Sequence, residues 1–311
     1  MKRIALLLAL AALPSAAQIK VGIIGLDTSH VIAFTKILND PKNPDHVPGA
    51  KVVAAYPGGS PDIASSRDRL EGYTNQLKNE FGVEIVPDIA TLLKKVDVVL
   101  LESVDGRKHL EQVKPVFAAG KRVFIDKPLA STLEDAREIA RLGKQHNTPW
   151  WSASSLRYSK AVSDVKVEGL TGAISWGPAS YEPTHQLDLS WYGIHPVELL
   201  YSVMGPGCKR VERSYHKGWG VITGEWADGR LGVVRTIREG SKDYGVVAFG
   251  EKENKVSTDA GGAYAPLLRN IVEFFKTGKP PVPNEVTLEI FAFMDAAQRS
   301  KQQCGAKVEL R

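Results

Sequence analysis

Two residues in this chain have the type and placement for proton chemistry, Lys127 and His195. Lys127 closes the phrase Val123-Phe124-Ile125-Asp126-Lys127-Pro128, where an apolar run ends and a lysine stands just before a proline. In an open parallel α/β sheet, ligands gather at the carboxyl ends of the strands. A proline with fixed φ stiffens the turn that would aim the ammonium group. The plainer reading is a surface lysine after an edge strand. His195 lies in Tyr192-Gly193-Ile194-His195-Pro196-Val197-Glu198, at the start of an apolar helical run. An imidazole there, with a glutamate three residues on, can pass protons near neutral pH, or it can simply cap and pack the helix start.

The elements that must position this pair alternate through the first half of the chain. Apolar runs at 19–26, 51–56, 96–101, 123–125 and 150–154 read as strands. Helical spacing follows at 31–38, 65–79, 89–94, 109–119 and 133–146, the last with Ser131 or Thr132 as N-cap. Strand–helix alternation predicts a parallel, doubly wound sheet. After about residue 155 the rhythm changes. A helix at 195–204 precedes strand-like runs at 209–215, 218–226, 231–237 and 244–249, with a hairpin signal at Ala227-Asp228-Gly229-Arg230. Helices at 264–276 and 286–302 end the chain. The sequence predicts a Rossmann-like domain over 18–154, then an α/β domain with an open, mostly antiparallel sheet over 155–311.

A strand, a tight turn and a helix N-terminus make an anion site. The dinucleotide version needs Gly-x-Gly-x-x-Gly, but the frame here reads Gly25-Leu26-Asp27-Thr28-Ser29-His30. Asp27 stands at the second glycine position. A carboxylate beside a pyrophosphate would repel it by about 4 kcal/mol at about 4 Å and an effective dielectric of about 20. The alternative is that Asp27 caps the helix that follows. Where an acid would hold the adenosine ribose, the second strand ends in Tyr56, followed by Pro57-Gly58-Gly59-Ser60. Asp27, His30, Glu102, Asp105, His109 and Asp126 all map to the same carboxyl edge. No spacing among them matches a metal-ligand pattern, so no metal is expected.

The 311 residues suffice for two domains, and 43% hydrophobic with 24% charged residues is ordinary for a globular chain. The formal charge of +5 is small and evenly spread, which argues against nucleic acid. Lys2-Arg3, a ten-residue apolar run and Ser15-Ala16-Ala17 read as a Sec-type signal peptide over 1–17, cleaved near Ala17, its apolar run too short for the ~20 residues of a membrane span. Removing it leaves about +3 and an exported chain, periplasmic or extracellular, with no membrane segment. Cys208 and Cys304 could pair or stay free.

Together these residues resemble the glucose–fructose oxidoreductase/inositol dehydrogenase (Gfo/Idh/MocA) family over nearly all of the mature chain. Val21-Gly22-Ile23-Ile24-Gly25-Leu26 is similar to its first strand and turn. The stretch from His109 to Lys127-Pro128 is similar to the run ending in its Glu-Lys-Pro motif, with Asp126 for the glutamate. Arg157-Tyr158 is similar to its Arg-Phe/Tyr pair, and Gly193-Ile194-His195 to its Gly-x-His motif. The run from Pro281 to Leu310 also fits.

The resemblance implies NAD or NADP bound along Gly25, Leu26, Asp27, Thr28, Ser29, His30, Tyr56, Glu102, Lys127 and Pro128. It implies a sugar or polyol substrate held by Lys127, Arg157, Trp191 and His195, with Lys127 and His195 as the proton-handling pair. It also implies a homodimer or homotetramer. This sequence departs from the family at Asp27, His30, Tyr56, Trp191 and Glu102. Those departures leave two alternatives on the same scaffold: a non-redox carbohydrate-active enzyme (lyase, epimerase or glycosidase-like), or a carbohydrate-binding protein. The latter reading draws on Trp150, Trp151, Trp176, Trp191, Trp219 and Trp226, whose faces suit sugar rings but equally suit a core.

Overall fold

A computed structural model of the chain describes residues 18–261 and 264–311. The signal peptide expected over 1–17 lies outside the described residues.

Six strands form the first sheet: β1 (Ile19–Ile24), β2 (Ala50–Tyr56), β3 (Glu84–Ile85), β4 (Val98–Leu101), β5 (Val123–Ile125) and β6 (Trp150–Trp151). All pair in parallel, in the order β3-β2-β1-β4-β5-β6. This is the strand order of dinucleotide-binding folds, and it reverses between β1 and β4, where ligands bind. The strands are buried on both faces, hence their unbroken apolar runs. Five helices connect them: α1 (His30–Asn39), α2 (Ala64–Phe81), α3 (Ile89–Leu93), α4 (Gly106–Ala118) and α5 (Leu133–Gln145). Three of the starts are capped from the sequence: Asp88, Asp105 and Thr132 accept backbone N–H groups of Thr91, Arg107 and Asp135.

A 3-10 turn (Ser155–Tyr158) and α6 (Lys160–Asp164) lead into the second sheet. It contains β7 (Leu170–Pro178), β8 (Cys208–His216), β9 (Trp219–Trp226), β10 (Leu231–Ile237), β11 (Gly245–Gly250), β12 (Asn254–Ser257) and β13 (Val308–Glu309). Their order is β12-β11-β7-β10-β9-β8-β13, antiparallel except for β7 beside β10. β9 and β10 form the hairpin read from Ala227-Asp228-Gly229-Arg230. β7 was not legible as a strand, because Gly172 and Gly177 interrupt it. They are needed there: a side chain at Gly172 would strike the Leu231 carbonyl, and one at Gly177 the Tyr244 ring.

α7 (Ile194–Met204) and α9 (Asn284–Gln302) cover one face of this sheet. α8 (Tyr264–Thr277) does not stay with it. Leu267, Leu268, Ile271, Val272, Phe274 and Phe275 pack into the core of the first sheet with Val21, Ile23 and Phe34. The first unit is therefore residues 18–154 completed by a late helix, not a continuous segment. Cys208 is buried and Cys304 exposed, and both are free thiols. Among the described residues no helix is long and apolar enough to cross a membrane.

Candidate active site

A cleft of about 530 Å³ lies at the carboxyl edge of the first sheet, between it and the second unit. Thr28, Ser29 and His30 line it from the β1–α1 turn, Ser65 and Arg69 from α2, and Lys127 and Pro128 from the end of β5. Trp191, Tyr192, His195 and Tyr244 form the far wall, and Tyr264 lines the near side against His30. The cleft thus brings together Lys127 and His195, which are far apart in the chain.

His195 is half-buried, with Nδ1 2.7 Å from Ser154 Oγ and its ring against Tyr192 and Tyr244. Burial, then the positive charges of Lys127 and His30, hold its pKa well below the usual imidazole value. His195 is therefore neutral at pH 7. When Ser154 accepts from Nδ1–H, Nε2 is the basic nitrogen. Lys127 Nζ lies 3.7 Å from Asp126 Oδ2, and the side chain keeps 15% exposure toward the cleft.

The turn after β1 is tightly tied down. Gly25 has φ +86°, and a Cβ there would overlap Ser103. Gly25 N–H and Leu26 N–H donate to the carbonyls of Tyr56 and Pro57. Gly25, Leu26 and Asp27 are buried and do not line the cleft. Asp27 does not cap α1, contrary to the alternative drawn from the sequence. Its Oδ2 accepts from Ser66 Oγ at 2.6 Å and its Oδ1 from Val104 N–H at 2.9 Å. Burial nevertheless raises its pKa, which those two hydrogen bonds only partly offset. The carboxylate ties the β1–α1 turn to α2 and to the loop after β4 from behind instead of facing a ligand. Ser29 heads α1 without a side-chain cap and lines the cleft with Thr28 and His30, while His30 N–H and Val31 N–H turn back to Thr28 Oγ1 and the Thr28 carbonyl.

Other residues singled out in the sequence lie elsewhere. Tyr56 packs against the core and does not line the cleft; Ser65 and Arg69 stand on that side instead. Arg157 does not reach the cleft: its Nε donates to Glu198 Oε1 at 2.8 Å, pinning the domain junction to α7. Asp105 caps α4, binds Arg107, and accepts from Ser60 Oγ at 2.6 Å and His185 Nε2 at 3.1 Å. His109 holds the carbonyls of Ser103 and Leu129. Of the six tryptophans only Trp191 lines the cleft; Trp150, Trp151 and Trp226 are core.

His30 takes an unexpected position. Its ring stacks on Phe34, meets Tyr264 edge-on and points at the ends of β4 and β5. His30 Nδ1 is 2.9 Å from Asp126 Oδ2 and 3.7 Å from Glu102 Oε2. The 2.9 Å contact is not aligned as a hydrogen bond, so it is ionic. Burial disfavours the imidazolium, but the Asp126 charge outweighs it and raises His30 to about 9. Burial, then the Asp126 charge, pushes Glu102 up to about 7. Asp126 itself is held well below the carboxylate range, because His30 and Lys127 overcome its desolvation.

A six-stranded parallel sheet in this order, closed by a second open sheet over a lysine–histidine cleft, is the architecture of a two-domain oxidoreductase. Residues 19–153, the first domain, match the model of the Gfo/Idh/MocA family, described as an oxidoreductase family with an NAD-binding Rossmann fold. No curated protein matches the sequence. Solved structures match across both domains, at identities that establish the fold alone. A probable dehydrogenase from Thermotoga maritima is 19% identical, with a TM-score of 0.75 over 94% of this chain and 99% of its own. GenD2 of gentamicin A biosynthesis, solved with NAD, is 16% identical with a TM-score of 0.74 over 97% and 100%. The myo-inositol dehydrogenase of Lactobacillus casei, solved with NAD(H) and myo-inositol, is 16% identical with a TM-score of 0.74 over 95% and 97%.

The residues present fit a dinucleotide. Thr28, Ser29 and His30 bring the start of α1 to the cleft, and Asp27 is turned away with its oxygens already occupied. Arg69 adds a cation at the α2 side.

Proposed function

We propose that the protein is an NAD(P)-dependent oxidoreductase acting on a sugar, polyol or related carbohydrate hydroxyl. The observation that carries this reading is the meeting of Lys127 with a neutral His195 in one cleft at the switch point of the sheet. Thr28, Ser29 and His30 would hold the cofactor's phosphates through the N-terminus of α1. Ser65 and Arg69 would hold its adenosine ribose. With no acid at the end of β2 and an arginine in the cleft, the ribose site favours a 2′-phosphate. A bound nicotinamide supplies the hydride acceptor or donor. The protein's part is to orient the substrate and move its proton: Lys127 binds and polarises the reacting oxygen, and His195 Nε2 takes or returns the proton, steadied at Nδ1 by Ser154. Trp191 offers an aromatic face to the sugar ring.

Two properties follow as proposals from the sequence. The chain is exported with cleavage after Ala17, which N-terminal sequencing of the mature protein checks. It self-associates through the open face of the second sheet, where Trp219, Leu231 and Val256 are exposed. Sedimentation of the wild type and of Leu231→Lys tests this, with a monomeric wild type as the contrary result.

The central test is titration of the purified mature protein with NADPH and NADH, followed by turnover of a polyol and sugar panel. We expect saturable binding of NADPH at least ten-fold tighter than NADH, a preference that Arg69→Ala removes. Absence of binding of either nucleotide sinks the redox reading. With turnover in hand, Lys127→Ala and His195→Ala should each lower kcat by roughly 10²- to 10⁴-fold.

A further inference from the structure

His30 opens α1, Glu102 and Asp126 follow the ends of β4 and β5, and the three meet beneath the cleft beside Lys127. One donor atom from each lies within 4.8 Å of the other two. All three residues are buried: Glu102 and Asp126 are 0% and 1% exposed, and His30 is 9% exposed. Both oxygens of Glu102 and both of Asp126 lack a hydrogen-bond partner, as does His30 Nδ1. The charges of His30 and Lys127 offset part of the hydration Asp126 loses, but no hydrogen bond replaces it on either carboxylate, and Glu102 has only the imidazole 3.7 Å away. Native sites seldom leave two such groups side by side unless something else completes them.

We infer that His30 Nδ1, Glu102 and Asp126 form a binding site for a divalent first-row cation, of the Mn²⁺ or Zn²⁺ class. The donor set is one imidazole nitrogen and two carboxylates, a mixed nitrogen–oxygen set that suits these ions over Mg²⁺ or Ca²⁺. The 2.9 and 3.7 Å separations bracket the roughly 3.0–3.4 Å spacing of neighbouring donors about 2.1 Å from a shared ion. Phe34 and Tyr264 fix the imidazole plane by stacking and edge contact, the ring orientation a ligand needs. Three protein ligands leave further coordination positions. His30 and Lys127 both border the cleft, so those positions open toward it and would take water or a substrate oxygen. The sequence did not suggest this set, because its members follow no short spacing and converge only through the sheet.

The site is independent of the cofactor reading, since the ion binds without a nucleotide. The full mature protein, dialysed against EDTA and then against metal-free buffer, is titrated with Mn²⁺ while the free-ion EPR signal is followed, and separately with Zn²⁺ by calorimetry. One equivalent of Mn²⁺ or Zn²⁺ is expected, with ¹⁴N coupling from a single imidazole in the pulsed EPR spectrum of the Mn²⁺ form. Glu102→Gln and Asp126→Asn should each weaken binding at least ten-fold. Lys127→Ala should bind at least as tightly as the wild type, because it removes a nearby positive charge. No stoichiometric binding of either ion by the wild type overturns the site. So does Mn²⁺ binding without nitrogen coupling, which needs only the wild type and so does not depend on the variants folding. Binding unchanged in both folded carboxylate variants overturns it as well. NADPH binding measured on the same EDTA-treated sample reports the cofactor reading separately.

Discussion

Four carboxylates are buried along the same edge of the first sheet, and they divide into two pairs. Asp27 and Asp105 have both oxygens engaged: Asp27 by Ser66 and Val104, Asp105 by Ser60, Arg107 and His185. Glu102 and Asp126 have no hydrogen-bond donor on either oxygen and face each other across His30. Depth does not separate the pairs, since all four are essentially inaccessible. Partners do. A buried acid supplied with donors joins loops to one another, whereas one left without them holds free energy that a ligand can recover. The sequence placed all four on one edge and could not tell the two kinds apart.

The sharpest way to break this comparison is Asp105→Ala. It strands the Arg107 and His185 nitrogens and cuts the contact between the two units, so we expect a loss of about 3–5 kcal/mol and a fall in Tm on the order of 10 °C by calorimetry. Its pH signature is equally specific. Burial raises the Asp105 pKa, but hydrogen bonds from His185, Arg107 and Ser60 outweigh that and hold the carboxyl well below the ordinary range. Its stabilisation is complete above the unfolded-state value of 3.8 and is lost as pH falls below it. Asp105→Asn should therefore flatten the acid limb of the stability curve.

Asp27→Ala should cost less, about 1–3 kcal/mol, by leaving Val104 N–H and Ser66 Oγ without their acceptor. Urea midpoints at constant m would show it. A neutral result would mean that Asp27 is not a brace.

Glu102→Gln should cost least. With EDTA present it should change stability by less than about 1 kcal/mol or raise it, because a desolvated, donor-poor charge is replaced by a neutral isostere. Here the pH dependence has the opposite sign. Glu102 is raised from 4.5 to about 7, so the folded state holds its proton more tightly. That contribution is full below 4.5 and is lost as pH rises through 7. The ion-free wild type should weaken over that window relative to Glu102→Gln. A large loss in the variant would place Glu102 with the structural acids instead.

Much of the scaffold was readable because parallel strands buried on both faces must be continuously apolar. β5 and β10 were placed residue for residue, and α5 began at the Thr132 cap. Lys127 and His195 were readable because each closes a strand or opens a helix at a point where chain direction and ligand position are coupled. β7 was hidden by glycines whose role is to let the Leu231 carbonyl and the Tyr244 ring approach. Arg157 carried a motif-like signal, yet its guanidinium is taken by Glu198. Arg69 gave no signal at all: it is one of several charges on an exposed helix, and only the sheet geometry turns it toward the cleft. The grouping of His30 with Glu102 and Asp126 needs the β1–β4–β5 adjacency, which strand-by-strand reading does not contain.

The late helix Tyr264–Thr277 means that the polypeptide passes between the two lobes three times: once near residue 155, again just before Tyr264, and a last time after Thr277. Three covalent tethers limit how the lobes can swing, leaving rotation about a line near the crossings and resisting wide separation. Tyr264 begins the returning helix and packs on His30 and Phe34, so this aromatic lip stays with the imidazole on the first lobe during any such rotation. A fragment cut at residue 154 would lose that lip, and with it the apolar cover over Val21, Ile23 and Phe34 that keeps the nucleotide-binding lobe soluble.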